Sequence, residues 1–179
     1  MEERKTRLLD ADALWAYALR ALGGRAHSTG ELREKLRRRA ARMADVDSVL
    51  GRLKDAHYLD DQSFAEGFAT ARLSGRGIGR RRVVNDLRQR RVAPTLAQRT
   101  VEKVYRDVDE ESLIEDWIRR RYRLALREGL FQQDKDWAAA YRRLLHAGFQ
   151  PAGISKVLKR FTKNPELLDQ MEPPEEPEE

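Results

Sequence analysis

The apolar residues of this chain recur mainly at intervals of three and four, which is the spacing of amphipathic helices. Leu14 and Ala18 give the first helix its buried edge, and Leu32 and Leu36 do the same for the second. No segment alternates with the period of two that a half-buried strand requires. The pattern predicts an all-α protein whose helices cover residues 13–22, a segment that begins near residue 28, then 45–56, 61–73, 81–90, 94–105, 109–126, 137–147 and 151–161.

The predicted helices fall into three successive groups of three, which indicates an internal repeat. Equivalent apolar positions recur at intervals of 51 and 57 residues, namely Leu36, Leu87 and Leu144; Ala41, Val92 and Phe149; and Leu50, Val101 and Leu158. In the second and third groups a proline, Pro94 or Pro151, begins the third helix, where its missing N–H costs nothing. The periodicity predicts three tandem three-helix repeats.

Five segments follow from this periodicity. Residues 1–9 form an N-terminal extension, and residues 10–59, 60–107 and 108–162 form the three repeats. Each repeat is too small to bury all of its apolar surface, so the repeats are expected to stack into an elongated, curved molecule. Residues 163–179 form an acidic tail, rich in proline and glutamate, which is expected to be disordered.

Composition narrows the possible functions. The chain of 179 residues carries a net charge of +6, and its last nine residues contain five glutamates, so residues 1–171 carry +11. A basic body favours a polyanionic partner such as nucleic acid, although the same charge can simply confer solubility. There are no cysteines and no apolar run long enough to span a membrane, and the charged residues 1–10 predict no signal peptide. We therefore expect a cytoplasmic protein without disulfide or thiol chemistry.

Three segments occur together that are typical of one protein family. They are the segment from His27 to Leu36, the segment Tyr58-Leu59-Asp60-Asp61 with Phe64, Ala65 and Phe68, and the segment Gly77-Ile78-Gly79 with Arg82-Val83 and Asp86-Leu87. In these residues, and over roughly residues 10–161, the chain resembles the RecX family of recombination regulators. It departs from the family where Arg80 stands in place of a proline, and where Ala41 or Arg91-Val92 stands in place of a glycine followed by an aromatic or aliphatic residue.

The resemblance implies three helix-turn-helix-like modules that bind in the groove of the RecA–DNA filament. It also implies inhibition of the ATPase, strand-exchange and coprotease activities of RecA, and hence a role in DNA recombination, DNA repair and the SOS response. We expect a monomer that is not an enzyme and needs no cofactor or metal, with single- and double-stranded DNA as weaker or secondary partners. The residues leave one alternative open, which is a sequence-tolerant DNA-binding protein that acts by competing for DNA.

The chain has three basic clusters. Two of them hold the predicted contact residues, and the third comprises Arg119, Arg120, Arg121, Arg123 and Arg127. The denser of the two contact clusters carries +7 over residues 72–91 and comprises Arg72, Arg76, Arg80, Arg81, Arg82, Arg88, Arg90 and Arg91, against Asp86 alone. The second comprises Arg33, Lys35, Arg37, Arg38, Arg39 and Arg42. Because arginine pairs bidentately with phosphates and carboxylates, we expect both clusters to contact DNA or the filament. The alternatives are a solvated helix face and, for Arg82, an ion pair with Asp86.

The approach to the helix at residue 81 carries a prediction of its own. The glycines at positions 75, 77 and 79 are expected to make this approach flexible. The N-terminus of the helix is expected to offer free N–H groups to an anion. The three glycines are not a dinucleotide-binding motif, because no strand precedes them.

Other short motifs predict local structure. Ser28 and Glu31 have the spacing of a capping box. Between the first two repeats, Tyr58 and Leu59 are expected to anchor the core, while Asp60 or Asp61 caps the next helix; a metal would need a third ligand, and none lies nearby in sequence. Residues predicted to be packing or surface residues, with base stacking as the alternative for the tryptophans, are His27, His57, His146, Trp15, Trp117 and Trp137.

Overall fold

A computed structural model describes residues 8–122 and 134–161. These residues form nine helices: α1 Ala11–Gly24, α2 Thr29–Arg37, α3 Met43–Asp55, α4 Asp61–Arg76, α5 Arg80–Gln89, α6 Pro94–Val104, α7 Glu110–Arg121, α8 Asp134–His146 and α9 Pro151–Arg160. Within the described residues, the one pairing of strand type is an isolated parallel bridge between Leu9 and Ala40. The predicted all-α class is therefore confirmed. The predicted acidic tail, residues 163–179, lies outside the described residues.

The end of α7 differs from its prediction. The apolar spacing predicts a helix through residue 126, but α7 ends at Arg121, because Tyr122 has left the helical region with φ −116° and ψ 33°. Leaving the helix here allows the Tyr122 ring to pack against Trp117, with 6.3 Å between the ring centroids. Residues 123–126 lie outside the described residues. Every other predicted helix end lies within three residues of the observed one.

The chain divides into two compact units. Unit 1 comprises the described residues up to Phe68 together with Asp86–Thr100, and unit 2 comprises Ala69–Asn85 and the described residues from Val101 onward. The core of unit 1 is formed by α1, α2 and α3 together with two residues outside these helices, Ala40 and Leu59. It contains Leu14, Ala18, Leu32, Leu36, Ala40, Val46, Val49, Leu50, Leu53 and Leu59. The core of unit 2 is formed by α7, α8 and α9, and contains Ile114, Ile118, Trp137, Ala140, Tyr141, Leu144, Phe149, Ile154, Val157 and Leu158. Helices α4, α5 and α6 each begin in one unit and end in the other.

The internal repeat reappears in the backbone hydrogen bonds. Each repeat has one main-chain carbonyl oxygen that binds an earlier part of the chain. It belongs to Arg39 in the α2–α3 turn, to Arg90 in the α5–α6 turn and to Ala147 in the α8–α9 turn. These residues are 51 and 57 positions apart, which is the spacing of the repeat. Each oxygen accepts a hydrogen bond from an earlier segment of the chain. The donors are the Leu9 N–H at 2.7 Å, the Ser28 hydroxyl, and the Gly79 N–H at 2.9 Å. We call the contact of residues 28–31 with residues 90–91 the first joint, which lies in unit 1. The contact of residues 79–82 with residues 147–148 is the second joint, which lies in unit 2.

Candidate nucleic-acid interface

The first joint is built around the start of α2. The Ser28 Oγ accepts a hydrogen bond from the Glu31 N–H at 3.0 Å, and the Glu31 carboxylate accepts one from the Ser28 N–H at 3.4 Å. This is the capping box that the spacing predicts, and the prediction is confirmed. The same Ser28 hydroxyl donates to the Arg90 carbonyl oxygen. Ser28 therefore caps α2 and fixes the α5–α6 turn at once.

The Arg90 side chain is half-buried and binds other groups of unit 1. Its Nε donates to Glu31 Oε1 at 2.5 Å, and its guanidinium lies 5.2 Å from the centroid of the Phe64 ring. Burial raises the pKa of the Glu31 carboxyl, but the hydrogen bonds from Arg90 and Arg25 outweigh it, so the pKa is lowered. The sequence predicts Arg90 as a contact residue from its charge alone. In the structure its charge has an acidic partner that lies 59 residues away in sequence.

Arg80 also binds groups inside its own unit, which is unit 2. Its guanidinium donates to the Tyr105 carbonyl oxygen at 2.6 Å and lies 5.9 Å from the centroid of the Tyr105 ring. The Tyr105 hydroxyl donates to the Ile78 carbonyl oxygen at 2.7 Å. Burial raises the pKa of Tyr105 to about 12, against the opposing effect of the Arg80 charge. The tyrosine thus stays neutral and keeps its donor, and Arg80 helps to hold the start of α5.

The start of α5 is not an open anion site, so that prediction is wrong. The Gly79 N–H donates to the Ala147 carbonyl oxygen at 2.9 Å, and the Arg81 N–H donates to the Gly148 carbonyl oxygen at 3.2 Å. Two of the N–H groups that an anion would need are therefore already satisfied. Gly79 is also buried, and a Cβ on it would collide with the backbone of Gly148. At this position glycine permits close packing rather than flexibility.

Four exposed arginines of unit 1 lie on, or directly after, the helices that form the first joint. On α2, Arg33 and Arg37 follow Gly30 at intervals of three and four residues, and these three residues share one side of the helix. The backbone and Cβ of Arg91 lie directly against Gly30. Arg88 precedes Arg91 by one turn and is also exposed. We call the four exposed arginines Arg33, Arg37, Arg88 and Arg91 the basic surface.

Most of the basic surface has its charge available. Arg33 pairs with Asp47, and both side chains are exposed. Within residues 8–122 and 134–161, the other three arginines of the basic surface make no ion pair. A cation without an internal partner can bind an external anion without first breaking an ion pair. The basic surface is therefore suited to a polyanion.

The remaining predicted contact residues are spread over both units. Lys35 approaches the His27 Nε2 at 3.5 Å, and Arg38 approaches Glu34 at 3.7 Å. The guanidinium of Arg39 lies 5.8 Å from the centroid of the Tyr17 ring. In unit 2, Arg76 and Arg81 are exposed, whereas Arg72 is half-buried. The predicted contact residues thus divide between the two units.

The segment Tyr58-Leu59-Asp60-Asp61, which joins the first two repeats, behaves only partly as predicted. Leu59 is 5% exposed and belongs to the core of unit 1, but Tyr58 is 57% exposed, so the prediction that it anchors the core is wrong. The next residue, Leu59, takes the core position instead, after a turn in which His57 has a left-handed φ of 58° and the Tyr58 N–H donates to the Leu53 carbonyl oxygen. Sequence reasoning missed the resulting groove, about 640 Å³ in volume, which Tyr58 lines together with Leu22.

The two aspartates of the motif have separate structural roles. Asp60 caps α4, because its carboxylate accepts hydrogen bonds from the N–H groups of Gln62 at 2.8 Å and Ser63 at 3.1 Å. The hydroxyl of Ser63 also donates to it, and these bonds lower the pKa of Asp60. Asp61 accepts instead from the Thr29 N–H at 2.7 Å. In the part of the chain that is described, no group of histidine, aspartate and glutamate is arranged to hold a metal ion.

The histidines and tryptophans are packing or surface residues, as predicted. His27 is buried, and its Nδ1 lies 2.9 Å from the Arg25 carbonyl oxygen. Burial lowers the pKa of His27. His57 and His146 are exposed. Trp137 is buried in unit 2, and Trp15 and Trp117 pack against the edges of the two cores. Among the described helices, none is both long and apolar enough to cross a membrane.

Comparison with known proteins agrees with this architecture. Residues 15–53 match the family model of the first three-helix domain of RecX, and residues 60–101 match that of the second. The chain is 33% identical over 175 residues to the regulatory protein RecX of Deinococcus radiodurans, covering 98% of this chain and 78% of the relative. It is 34% identical over 142 residues to the regulatory protein RecX of Thermus thermophilus, covering 78% of this chain and 85% of the relative.

A solved structure has the same fold. The crystal structure of RecX from Lactobacillus salivarius superimposes with a TM-score of 0.68 at 17% identity, covering 90% of this chain and 97% of that one. The matched three-helix domains and the two relatives lead to one conclusion. The chain belongs to the RecX family of regulatory proteins.

Proposed function

We propose that this chain binds the RecA–DNA filament and restrains it, inhibiting ATP hydrolysis, strand exchange and coprotease activity. Membership of the RecX family supports a regulatory role. The observation that carries the proposal is the basic surface, where three exposed arginines lack an internal ion pair among the described residues. In this proposal the protein acts in the cytoplasm as a regulator of recombination, DNA repair and the SOS response.

The physical basis is electrostatic binding to a repeating polyanion. Guanidinium groups bind phosphates bidentately and need no particular base, so the contact is tolerant of sequence. Each phosphate that is neutralised releases condensed counterions, which makes the affinity fall steeply with salt. The predicted contact residues outside the basic surface act as additional, weaker contacts in this proposal: Arg72, Arg76, Arg81, Lys35, Arg38 and Arg39. Arg80 and Arg90 instead bind Tyr105 and Glu31 within their own units.

A second candidate function is binding to free DNA alone, and the same basic surface favours it. In that case the protein would reduce RecA activity only by occupying DNA before RecA does. The two functions differ in their preferred partner. A filament regulator binds RecA assembled on DNA more tightly than it binds the DNA itself, whereas a competitor does the reverse.

Fluorescence anisotropy of the labelled protein tests this difference directly. The protein is titrated with single-stranded DNA alone and with the same DNA coated by RecA and a slowly hydrolysed ATP analogue. We expect tighter binding to the coated DNA, and weaker binding of Arg37→Ala and Arg88→Ala to it. Arg20→Ala is the matched control, because Arg20 is an exposed arginine on α1, outside the basic surface. Equal or weaker binding to coated DNA would contradict the proposal and favour competition.

A further inference from the structure

Arg91 has a backbone conformation that ordinarily belongs to glycine. Its φ is 58°, in the left-handed region that side chains with a Cβ disfavour. The residue ends α5 in a Schellman turn: the Arg91 N–H donates to the Arg88 carbonyl oxygen at 2.8 Å, and the Val92 N–H donates to the Leu87 carbonyl oxygen at 3.1 Å. The turn itself is satisfied by the main chain alone, so it does not require an arginine.

In the equivalent turn of unit 2, a glycine has the left-handed backbone conformation without strain. Gly148 ends α8 with a φ of 89°, and its N–H donates to the Leu145 carbonyl oxygen at 2.8 Å. The Phe149 N–H then donates to the Leu144 carbonyl oxygen at 3.2 Å. The same hydrogen-bond pattern is thus made with glycine at one repeat and with arginine at the other. The guanidinium of Arg91 is kept at a position where glycine would relieve the backbone.

The first joint holds Arg91 in this conformation. The Ser28 hydroxyl fixes the carbonyl of the preceding residue, Arg90. On the other side Gly30 leaves the space that the Arg91 backbone occupies, because a Cβ on Gly30 would collide with the Arg91 carbonyl oxygen and lie 2.7 Å from its Cβ. The main chain of Arg91 is thereby clamped, while its side chain is exposed. A clamped backbone with an exposed, charged side chain is suited to an external contact.

We propose that Arg91 binds a phosphate of the nucleic-acid backbone, and that its strained backbone is retained for this contact. The inference rests on the proposed function, since it assigns one residue of the basic surface to DNA. Phosphate is favoured over an acidic protein surface by the neighbours of Arg91. Arg33 and Arg37 are separated by about 6 Å along the axis of α2. The successive phosphates of a nucleic-acid strand can bind several guanidinium groups spaced in this way. Carboxylates on a protein would have to be placed individually to do the same.

Arg91→Gly separates the two consequences of this proposal. Removing the Cβ relieves the backbone, so we expect the melting temperature to rise by about 2 to 4 °C. Losing the guanidinium removes one phosphate contact, so we expect affinity for fluorescein-labelled single-stranded DNA to weaken by about 3- to 10-fold. The slope of the logarithm of affinity against the logarithm of salt concentration should become shallower by about one. A purely structural role would instead move stability and binding in the same direction.

His57 provides the matched control. It ends α3 in the same turn with the same φ of 58°, its N–H donating to the Lys54 carbonyl oxygen at 2.9 Å. His57→Gly should raise the melting temperature by a similar amount and leave DNA affinity unchanged. Arg91→Ala should weaken DNA binding without the gain in stability, because Ala keeps the Cβ. Arg91→Lys keeps the charge but loses the bidentate pair, so it should weaken binding less than Arg91→Ala does.

Three results would overturn the assignment. DNA affinity unchanged in Arg91→Gly would do so, as would an equal loss of affinity in His57→Gly. Weaker inhibition of RecA by Arg91→Gly with unchanged DNA affinity would reassign Arg91 to an acidic protein surface. The RecA ATPase assay, run in parallel with the wild-type protein, tests the proposed function separately. A selective loss of DNA binding in Arg91→Gly, with no effect of wild type on RecA, would support the Arg91 contact and reject filament regulation.

Discussion

Gly79 provides the most stringent test of how the second joint is packed. A Cβ at this position would collide with the carbonyl carbon and oxygen of Gly148 and lie 2.5 Å from the Phe149 nitrogen. All three atoms belong to the main chain, so no side chain can rotate away to make space. The Gly79→Ala protein must therefore open the second joint or distort the α8–α9 turn.

The expected cost follows from the contacts that the joint would lose. Overpacking a tightly packed site costs about 1 to 3 kcal/mol. Opening the joint also breaks the hydrogen bonds from the Gly79 N–H to Ala147 and from the Arg81 N–H to Gly148, each worth about 0.5 to 1.5 kcal/mol net. We expect Gly79→Ala to lower the free energy of unfolding by about 3 kcal/mol.

Gly67→Ala is the matched control, with an effect of opposite sign. Gly67 lies inside α4, and a Cβ there would meet nothing within 4 Å. Alanine in an open helical position should stabilise the protein by about 0.5 to 1 kcal/mol. Both variants are compared with wild type by urea unfolding, followed by far-ultraviolet circular dichroism, with the m-value checked for constancy. A loss below about 1 kcal/mol in Gly79→Ala would refute the close packing of the joint.

Two further predictions concern unit 1. Because the pKa of Glu31 is lowered, its ionised form contributes stability that is present above the pKa of the unfolded chain and is lost as pH falls through the folded pKa. Urea titrations across the acidic range should therefore show a smaller pH-dependence for Glu31→Gln, and an unchanged pH-dependence would contradict the Glu31–Arg90 pair. Leu59→Ala should cost about 2 to 4 kcal/mol, because Leu59 is buried, whereas the exposed Tyr58→Ala should cost less than about 0.5 kcal/mol. Equal losses in the same urea assay would show that Tyr58 packs into the core.

Much of the fold is predictable because helices are local. Leu36, Leu87 and Leu144 mark buried edges through spacing alone, and all three are fully buried. The capping box at Ser28 and the cap at Asp60 depend on neighbours within three residues, so a sequence pattern detects them.

The candidate site is less predictable because its partners are distant in sequence. Arg80 and Arg90 have the same charge as their exposed neighbours, and only tertiary structure brings Tyr105 and Glu31 to them. Gly79 has the appearance of a flexible linker residue until the fold places Gly148 against it. Arg91 is the exception, since the repeat alignment already pairs it with Gly148 and so marks an arginine at a glycine position.

The central claim is that the protein restrains RecA on DNA, and one titration tests it most directly. The ATPase rate of RecA, dependent on single-stranded DNA, is measured at fixed RecA and saturating DNA while this protein is added. Filament regulation predicts inhibition at well below one molecule per RecA, and the inhibition should persist when more DNA is supplied. No inhibition, or inhibition that added DNA relieves, would contradict the account and leave a basic protein that competes for DNA.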